Sequence, residues 1–524
     1  MADIKTPAVT DTALVESPAA SAIVPNEFHD GTDAGKKTFL STFTAEEDKA
    51  IMRKVDRKFL LLIGIIYLFK NIDYTNAASV KVLQVGEPSN VLNELSMTAN
   101  QYNWVQSIYF ISYILFEVPS NLLLKRTSPR NWQTRIIVSW GTVLACHAAV
   151  KNKEGLYTAR FFLGMMEAGM FPGLAVQLCS WYRADEIQKP FMWMFAIQNT
   201  SGIIGSLVAY GVSYMNGLGG LSAWRWVYLL EGIATILFGA VVYAVLPDYP
   251  KSPRSNSWLT PREQEYVEAR LTGNAPKTHE PSFKKEEIKV SLKDWRTYSF
   301  MAIHFTTNMA GYALSWQLPT VTTNLGYAGL PRNQLLNIPS AAGSVLFIIF
   351  AGWFLRQAYL TRPMFIMIIN IIVLIFFGIL AGVSNKAAIY TAIVLGDSIR
   401  SAFFIPFFTW RSSTLSGATG AAFGLAFQNC VGQIGGVVGP QLFQEKYAYN
   451  GYKVPFAICA ASCGSTCLAI SWSWWLTKDL EHDIKRIKRL RLKAAKRGEV
   501  YAEDDVDMTG QRKYFKGLRR AGEV

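Results

Sequence analysis

The chain has 524 residues, of which 50% are hydrophobic, 13% aromatic and only 17% charged, where an ordinary soluble protein carries about a quarter. Its formal charge is +14, yet the basic residues sit at the ends of apolar blocks and in the tails, a placement that fits positive-inside membrane topology and argues against a nucleic-acid partner. A single soluble core is disfavoured on the same pattern, because the apolar residues fall in blocks of roughly 20, the length that crosses a ~30 Å hydrocarbon layer.

Residues 1–50 are rich in Ala, Ser, Thr, Asp and Pro and read as a disordered cytoplasmic tail. The first apolar run begins near Phe59, so the first span is expected to serve as the insertion signal. Apolar segments follow at about 59–80, 101–124, 133–150, 155–181, 191–214 and 224–246, forming an N-terminal half over 51–246. A cytoplasmic central loop, 247–297, carries Pro247, Pro250, Pro253 and Pro261 with many charges. The C-terminal half, 298–476, holds segments at about 298–318, 335–355, 363–383, 387–410, 420–441 and 454–476, and a basic cytoplasmic tail spans 477–524. The fold expected is an all-α membrane protein with twelve transmembrane helices in two six-helix pseudo-repeated halves.

Lys and Arg set the orientation. Arg53, Lys54, Arg57 and Lys58 precede span 1, Lys125, Arg126, Arg130 and Arg135 follow span 2, and Lys478, Lys485, Arg486, Lys488, Arg489 and Arg491 follow span 12. An even number of spans puts all three groups on the cytoplasmic side, with both termini. Segment 477–497 reads either as a basic helix along anionic lipid or as a solvated charged tail. Cys146, Cys179, Cys430, Cys459, Cys463 and Cys467 all lie in apolar blocks, which fits helix packing rather than a disulfide framework or a metal site.

Ionisable residues inside spans are costly and point to function. Span 1 has Lys70 and Asp73, span 4 Arg160 and Glu167, span 7 His304, and span 10 Asp397 and Arg400, while Glu117, His147, Arg225 and Glu231 fall in spans 2, 3 and 6. The charges thus concentrate on every third helix. His304, Asn308, Tyr312 and Trp316 recur every four residues along one face of span 7, as a cavity wall or as interhelical glue. Lys70 with Asp73, and Asp397 with Arg400, are three apart and can pair on their own helices, either as proton-coupling sites or as neutralised structural pairs. Small residues at 164, 168 and 169 allow close helix approach, and Pro172-Gly173 is expected to kink span 4. Gly432, Gly435, Gly436 and Gly439 are expected at packing positions in span 11. No nucleotide, zinc or nucleophile motif is present, so no cofactor and no enzymatic activity are expected.

Several segments resemble the fungal anion:cation symporters of the major facilitator superfamily, exemplified by allantoate, nicotinate and pantothenate permeases. They are Asp73-Tyr74-Thr75-Asn76, Glu117-Val118-Pro119-Ser120-Asn121, Arg160 through Gly173, Trp224 through Gly232, Leu246 through Lys251, and Trp258 through Glu263. Tyr74 stands where many relatives carry Arg. The resemblance implies proton-coupled symport of a small organic anion, a vitamin acid or ureide, by alternating access in the plasma membrane. The partners implied are this anion, protons and the bilayer, with the chain acting as a monomer. A carboxylate substrate needs a cation, for which Lys70, Arg160 and Arg400 are candidates, and the guanidinium fork favours Arg400. Substrate contacts are expected at Lys70, His304, Asn308, Tyr312, Trp316 and Arg400. Proton coupling is expected at Asp73, Glu167 and Asp397, and motif-holding roles at Glu117, Arg160, Arg225 and Glu231. Export of a secondary metabolite, or a transporter-like nutrient receptor, are the alternatives.

Overall fold

A computed structural model describes residues 39–40, 42–124, 127–183, 186–271, 285–326, 331–415 and 418–497. The tail expected over 1–50 up to residue 38, Lys125, Arg126, and the tail beyond 497 lie outside these residues. Every regular element among the described residues is helical. Span 1 lies on α1 (Ala45–Lys81), span 2 on α2 (Ala99–Leu124) and span 3 on α3 (Pro129–Cys146). Span 4 is divided into α4 (Lys153–Glu167) and α5 (Met170–Cys179), and span 5 into α6 (Gln188–Asn199) and α7 (Ser201–Ser213). Span 6 is α8 (Ala223–Val245); the central segment carries α9 (Pro261–Ala269) and α10 (Lys285–Lys293). Spans 7, 8 and 9 are α11 (Trp295–Leu325), α12 (Ile338–Arg356) and α13 (Arg362–Gly382). Span 10 divides into α14 (Lys386–Ser401) and α15 (Phe404–Ser412), and spans 11 and 12 are α16 (Ala418–Leu442) and α17 (Lys453–Arg497).

Seven of these stretches, at spans 4, 5, 6, 8, 9, 10 and 12, are apolar and long enough to cross a membrane by length and composition. The helices at spans 1, 2, 3, 7 and 11 are more polar for a structural reason: Asp73, Asn76, Asn103, Gln106, Glu117, Gln133, His304, Asn308 and Asn429 are all buried inside the bundle. Buried polar groups in a bilayer find partners on other helices instead of water.

Two breaks have a common cause. A proline ring clashes with the carbonyl four residues back and removes a donor. Span 4 breaks at Ala168–Gly169, four and three residues ahead of Pro172, and Gly169 adopts φ +87°. The kink expected at Pro172-Gly173 is therefore displaced by one turn, and the freed Ala168 carbonyl accepts from Ser120 Oγ at 2.7 Å. Span 10 breaks at Ala402, four residues ahead of Pro406.

Helices α2 and α16 pack together, as do α6 and α12, joining the earlier spans to the later ones. Gly435 and Gly439 of span 11 act as expected, at the seam with span 7. A Cβ on Gly435 would lie 2.9 Å from the Phe305 carbonyl oxygen of α11, and one on Gly439 2.9 Å from that of Met309, so α11 and α16 meet backbone to backbone.

The central segment is helical where a loop is expected. α9 begins with a Thr260/Glu263 capping box and docks on the start of α1 through Lys54–Glu263 at 2.7 Å and Tyr266–Asp48 at 2.7 Å. Arg270, fully buried, pairs with Asp48 and Glu186. The border expected at 476 falls inside α17, which runs unbroken to Arg497. Its extension docks on protein: Arg362 pairs with Glu481, and Lys488 donates to Gln188 at 2.7 Å and to the Leu355 carbonyl at 3.2 Å. This part of the chain is a helix that packs one face on spans 5, 8 and 9 and leaves Lys478, His482 and Arg486 exposed on the other.

Candidate functional site

A cavity of about 240 Å³ lies among the helices. Span 1 contributes Lys70, Asn71 and Tyr74; span 7 contributes His304, Asn308, Tyr312 and Trp316; span 10 contributes Asp397 and Arg400. The every-third-helix pattern holds only in part, because span 4 supplies Phe171, whereas span 5 lends Gln198, Asn199 and Ser201 and span 8 Ser340 and Ser344.

Both cavity cations are paired with carboxylates, Arg400 with Asp397 of the cavity lining and Lys70 with Glu167, which is fully buried and not among the lining residues. Lys70 Nζ lies 3.4 Å from Glu167 Oε1 and 4.7 Å over the Tyr74 ring. Arg400 Nη2 lies 2.9 Å from Asp397 Oδ1, as the three-residue spacing predicts, and 3.3 Å from Ser315 Oγ. Ser340 Oγ donates to the other Asp397 oxygen at 2.7 Å. The guanidinium lies over Gly311, where a Cβ would come within 3.0 Å of Cζ and push the guanidinium aside.

The expected pairing of Lys70 with Asp73 does not form. The long Lys70 chain reaches across to span 4, while the short Asp73 carboxylate turns outward from the cavity. Its Oδ2 accepts from Trp140 Nε1 and Thr235 Oγ1, each at 2.8 Å. Arg160 is likewise not among the cavity residues: fully buried, it donates to Asn76 Oδ1 at 3.1 Å and Tyr228 Oη at 2.7 Å. Asn76 in turn donates to Glu231 at 2.6 Å. These residues form a polar core joining spans 1, 3, 4 and 6. Arg225 serves a loop instead, donating to Glu94 at 2.8 and 2.9 Å and to the Ala148 carbonyl at 2.6 Å.

The span 7 stripe is both wall and glue. All four residues line the cavity, yet Asn308 Nδ2 also donates to the Gly432 carbonyl at 3.1 Å and Trp316 Nε1 to Asn103 Oδ1 at 2.8 Å. Tyr312 Oη donates to Gln433 Oε1 at 2.7 Å. Glu117, buried between spans 2 and 11, accepts from Asn429 Nδ2 at 2.5 Å and Cys430 Sγ at 3.1 Å. Phenylalanines bridge spans 4 and 5 to span 10 on one side: ring centroids are 4.7 Å apart for Phe171–Phe408 and 6.1 Å for Phe195–Phe404.

Asn71, Gln198, Asn337, Asn429 and Gln433 also line the cavity. A search for charges passes over them; uncharged amides inside apolar blocks were the available signal. Asn71 joins Ser201 at 2.7 Å and Gln198 at 3.0 Å, so spans 1 and 5 present a shared amide face.

The Major Facilitator Superfamily model matches residues 74–440. The MFS transporter prlL of a fungal species is 33% identical over 310 residues, covering 59% of this chain and 62% of that relative, so the chain spans less than two thirds of its length. A relative from Agrobacterium vitis, provisionally named a tartrate transporter, is 26% identical over 406 residues, 76% of this chain and 85% of its own. Among solved structures, a bacterial homologue of the human lysosomal transporter Spinster shares the fold, with a TM-score of 0.52 at 14% identity over 84% of this chain and 98% of that one. With seven helices among the described residues long and apolar enough to cross a membrane and the family model matching well over half of its length, this chain belongs to the Major Facilitator Superfamily.

Proposed function

We propose that the protein is a proton-coupled symporter of a small organic anion, working by alternating access between two six-span halves. The observation that carries this reading is the pair of neutralised cations on one cavity, Lys70 with Glu167 and Arg400 with Asp397. An isolated charge at this depth is costly, so each cation is held by a carboxylate until a substrate carboxylate takes its place. The displaced carboxylate, desolvated and without its partner, then binds a proton. Anion binding and proton binding are thereby linked. Arg400 grips the substrate through its fork, Lys70 supplies a second positive point, and the amides of Asn71, Gln198 and Asn308 read its hydroxyl or amide groups. The relative named for tartrate agrees with a small hydroxylated acid. On this reading the chain belongs to the anion:cation symporter branch, sits in the plasma membrane as a monomer, and has both termini in the cytoplasm.

The test is uptake of labelled tartrate, nicotinate and allantoate into proteoliposomes at two external pH values. Accumulation of one of them in acid, abolished by a protonophore, is the expected result. Uptake that ignores the protonophore sinks the symport reading, and efflux without uptake favours an exporter.

A further inference from the structure

The cavity and the seam between spans 2 and 11 are joined by a chain of side chains that all donate in one direction. Tyr312 Oη donates to Gln433 Oε1 at 2.7 Å, Gln433 Nε2 donates to Asn429 Oδ1 at a longer 3.4 Å, and Asn429 Nδ2 donates to Glu117 Oε1 at 2.5 Å. Tyr312, Gln433 and Asn429 line the cavity, whereas Glu117 is fully buried behind them. Both Glu117 oxygens accept, the second from Cys430 Sγ at 3.1 Å. An ionised carboxyl accepts such bonds at both oxygens, and a protonated one has an O–H to give.

We infer that Glu117 is a proton-binding group wired to the cavity by this relay, and that its protonation turns Tyr312 from an acceptor into a donor for the bound anion. In the state described, the Tyr312 hydroxyl proton is spent on Gln433, so the phenol shows the cavity only lone pairs, which repel an anion. When a proton adds to Glu117, its new O–H is best met by the Asn429 oxygen. Both amides then turn over, Gln433 presents its Nε2 to the phenol oxygen, and the Tyr312 O–H is released toward the cavity. Only one proton is bound in the step; no other bond is made or broken. A carboxyl inside a low-dielectric bundle can drive such a reversal because each hydrogen bond in the chain polarises the next. Tyr312 is well placed to use its freed proton: it follows Gly311, against which the Arg400 guanidinium lies, and precedes by one turn Ser315, which Arg400 contacts. The titratable and charged groups around Glu117 are Lys70 and Tyr67 of span 1, Tyr113 of its own helix, Glu167 of span 4, which packs on the same helix and shares Tyr113 with it, Tyr312 of span 7 and Cys430 of span 11. Lys70 is already held by Glu167 at 3.4 Å.

This inference rests on the anion–proton reading of the same cavity, but its first test needs no substrate. Infrared difference spectra across pH, recorded on the full chain in liposomes, should contain the C=O stretch of a protonated carboxyl that Glu117→Gln removes. Tyr312→Phe, which does not touch Glu117, should move the titration midpoint of that band to higher pH, because the ionised state loses its terminal donor. Should Glu117→Gln fail to fold, Glu117→Asp identifies the same band by its change in frequency. A band that is absent, or a midpoint indifferent to Tyr312→Phe, overturns the relay. In the uptake assay, labelled tartrate, nicotinate and allantoate are the probes. Tyr312→Phe should raise KM about tenfold at acidic pH with kcat preserved, the loss of one hydrogen bond to a charged group. If the midpoint moves while wild-type transport ignores the proton gradient, the symport reading fails and the relay stands; gradient-driven uptake with a fixed midpoint gives the converse.

Discussion

Spans 4 and 10 hold corresponding places in the order of helices, and each carries a carboxylate within one or two turns of a break set by a proline. They solve the same problem differently. In span 4 the break is held from three sides: Pro172, the left-handed Gly169, and Ser120 of span 2, which satisfies the freed Ala168 carbonyl. Its carboxylate, Glu167, finds its cation on another helix. In span 10 the break at Ala402 keeps ordinary helical angles, φ −74° and ψ −10°, and Asp397 finds its cation on the same helix. The first arrangement ties a charge pair to helix–helix geometry. The second can travel with its helix intact, which suits a group that must grip a substrate while the surrounding helices move.

The largest expected effect follows from that difference. Replacing Asp397 and Arg400 together by Asn and Gln keeps the cavity neutral, so the protein should reach the membrane yet lose uptake of the labelled acids by more than about a hundredfold, as the loss of a charge-assisted bidentate contact implies. Normal uptake would transfer the substrate role to Lys70. Arg400→Lys should raise KM about tenfold with protein levels unchanged, since a point charge cannot reproduce the fork.

Glu167→Gln comes next. It should leave labelled substrate exchange between the two sides intact and reduce gradient-driven accumulation roughly tenfold, because Lys70 then needs no proton to release its partner. Equal loss of exchange and accumulation would mean that Glu167 is structural.

The breaks can be compared directly. Pro406→Ala should let span 10 close into a continuous helix and slow turnover several-fold, whereas Pro172→Ala leaves span 4 broken at Gly169 and should change turnover little. Ser120→Ala and Gly169→Ala should each destabilise the purified protein, by about 1 kcal/mol for the lost hydrogen bond and about 1–2 kcal/mol for the left-handed position, read as a lower thermal midpoint.

The smallest effect lies outside both spans, at Glu94. Partial burial would push its carboxyl up, but hydrogen bonds from Ser222, Trp224 and Arg225 outweigh this and hold it below the usual carboxylate range. A depressed pKa means that the contribution is complete above the unfolded value and fades as pH falls through the folded one. Thermal stability should therefore decline in the wild type below about pH 4, and Glu94→Gln should flatten that part of the curve at a lower plateau.

What the sequence discloses depends on how local each interaction is. Asp397 and Arg400 are legible because both ends of the bond are on one helix three residues apart. Lys70 and Glu167 are not, since nothing in their own neighbourhoods says that Lys70 will prefer a residue 97 positions away to Asp73 three positions away. The breaks are announced by Pro172 and Pro406, but they occur one turn earlier, where the ring meets the carbonyl. Arg160 looks like a substrate cation by type alone, and only its burial beside Asn76 and Tyr228, to both of which Nη2 donates, shows that it stands away from the cavity. The amide lining of the cavity was hidden for the opposite reason: Asn71, Gln198 and Gln433 carry no charge to draw attention, and their meaning comes from the helices that bring them together.

The unbroken run of α17 to Arg497 has a practical consequence for anyone shortening the chain. Hydropathy suggests a safe cut just after residue 476. Such a cut would strip Glu481 from Arg362, leaving a buried guanidinium with Ser413 and the Thr409 carbonyl as its hydrogen-bond partners among the described residues, and removal of one partner from a buried pair costs about 3–5 kcal/mol. It would also take away Lys488, whose ammonium stitches the start of span 5 to the end of span 8. The segment that looks most like disposable tail is thus a brace joining the ends of spans 5, 8 and 9, and a fluorescent fusion belongs after residue 497.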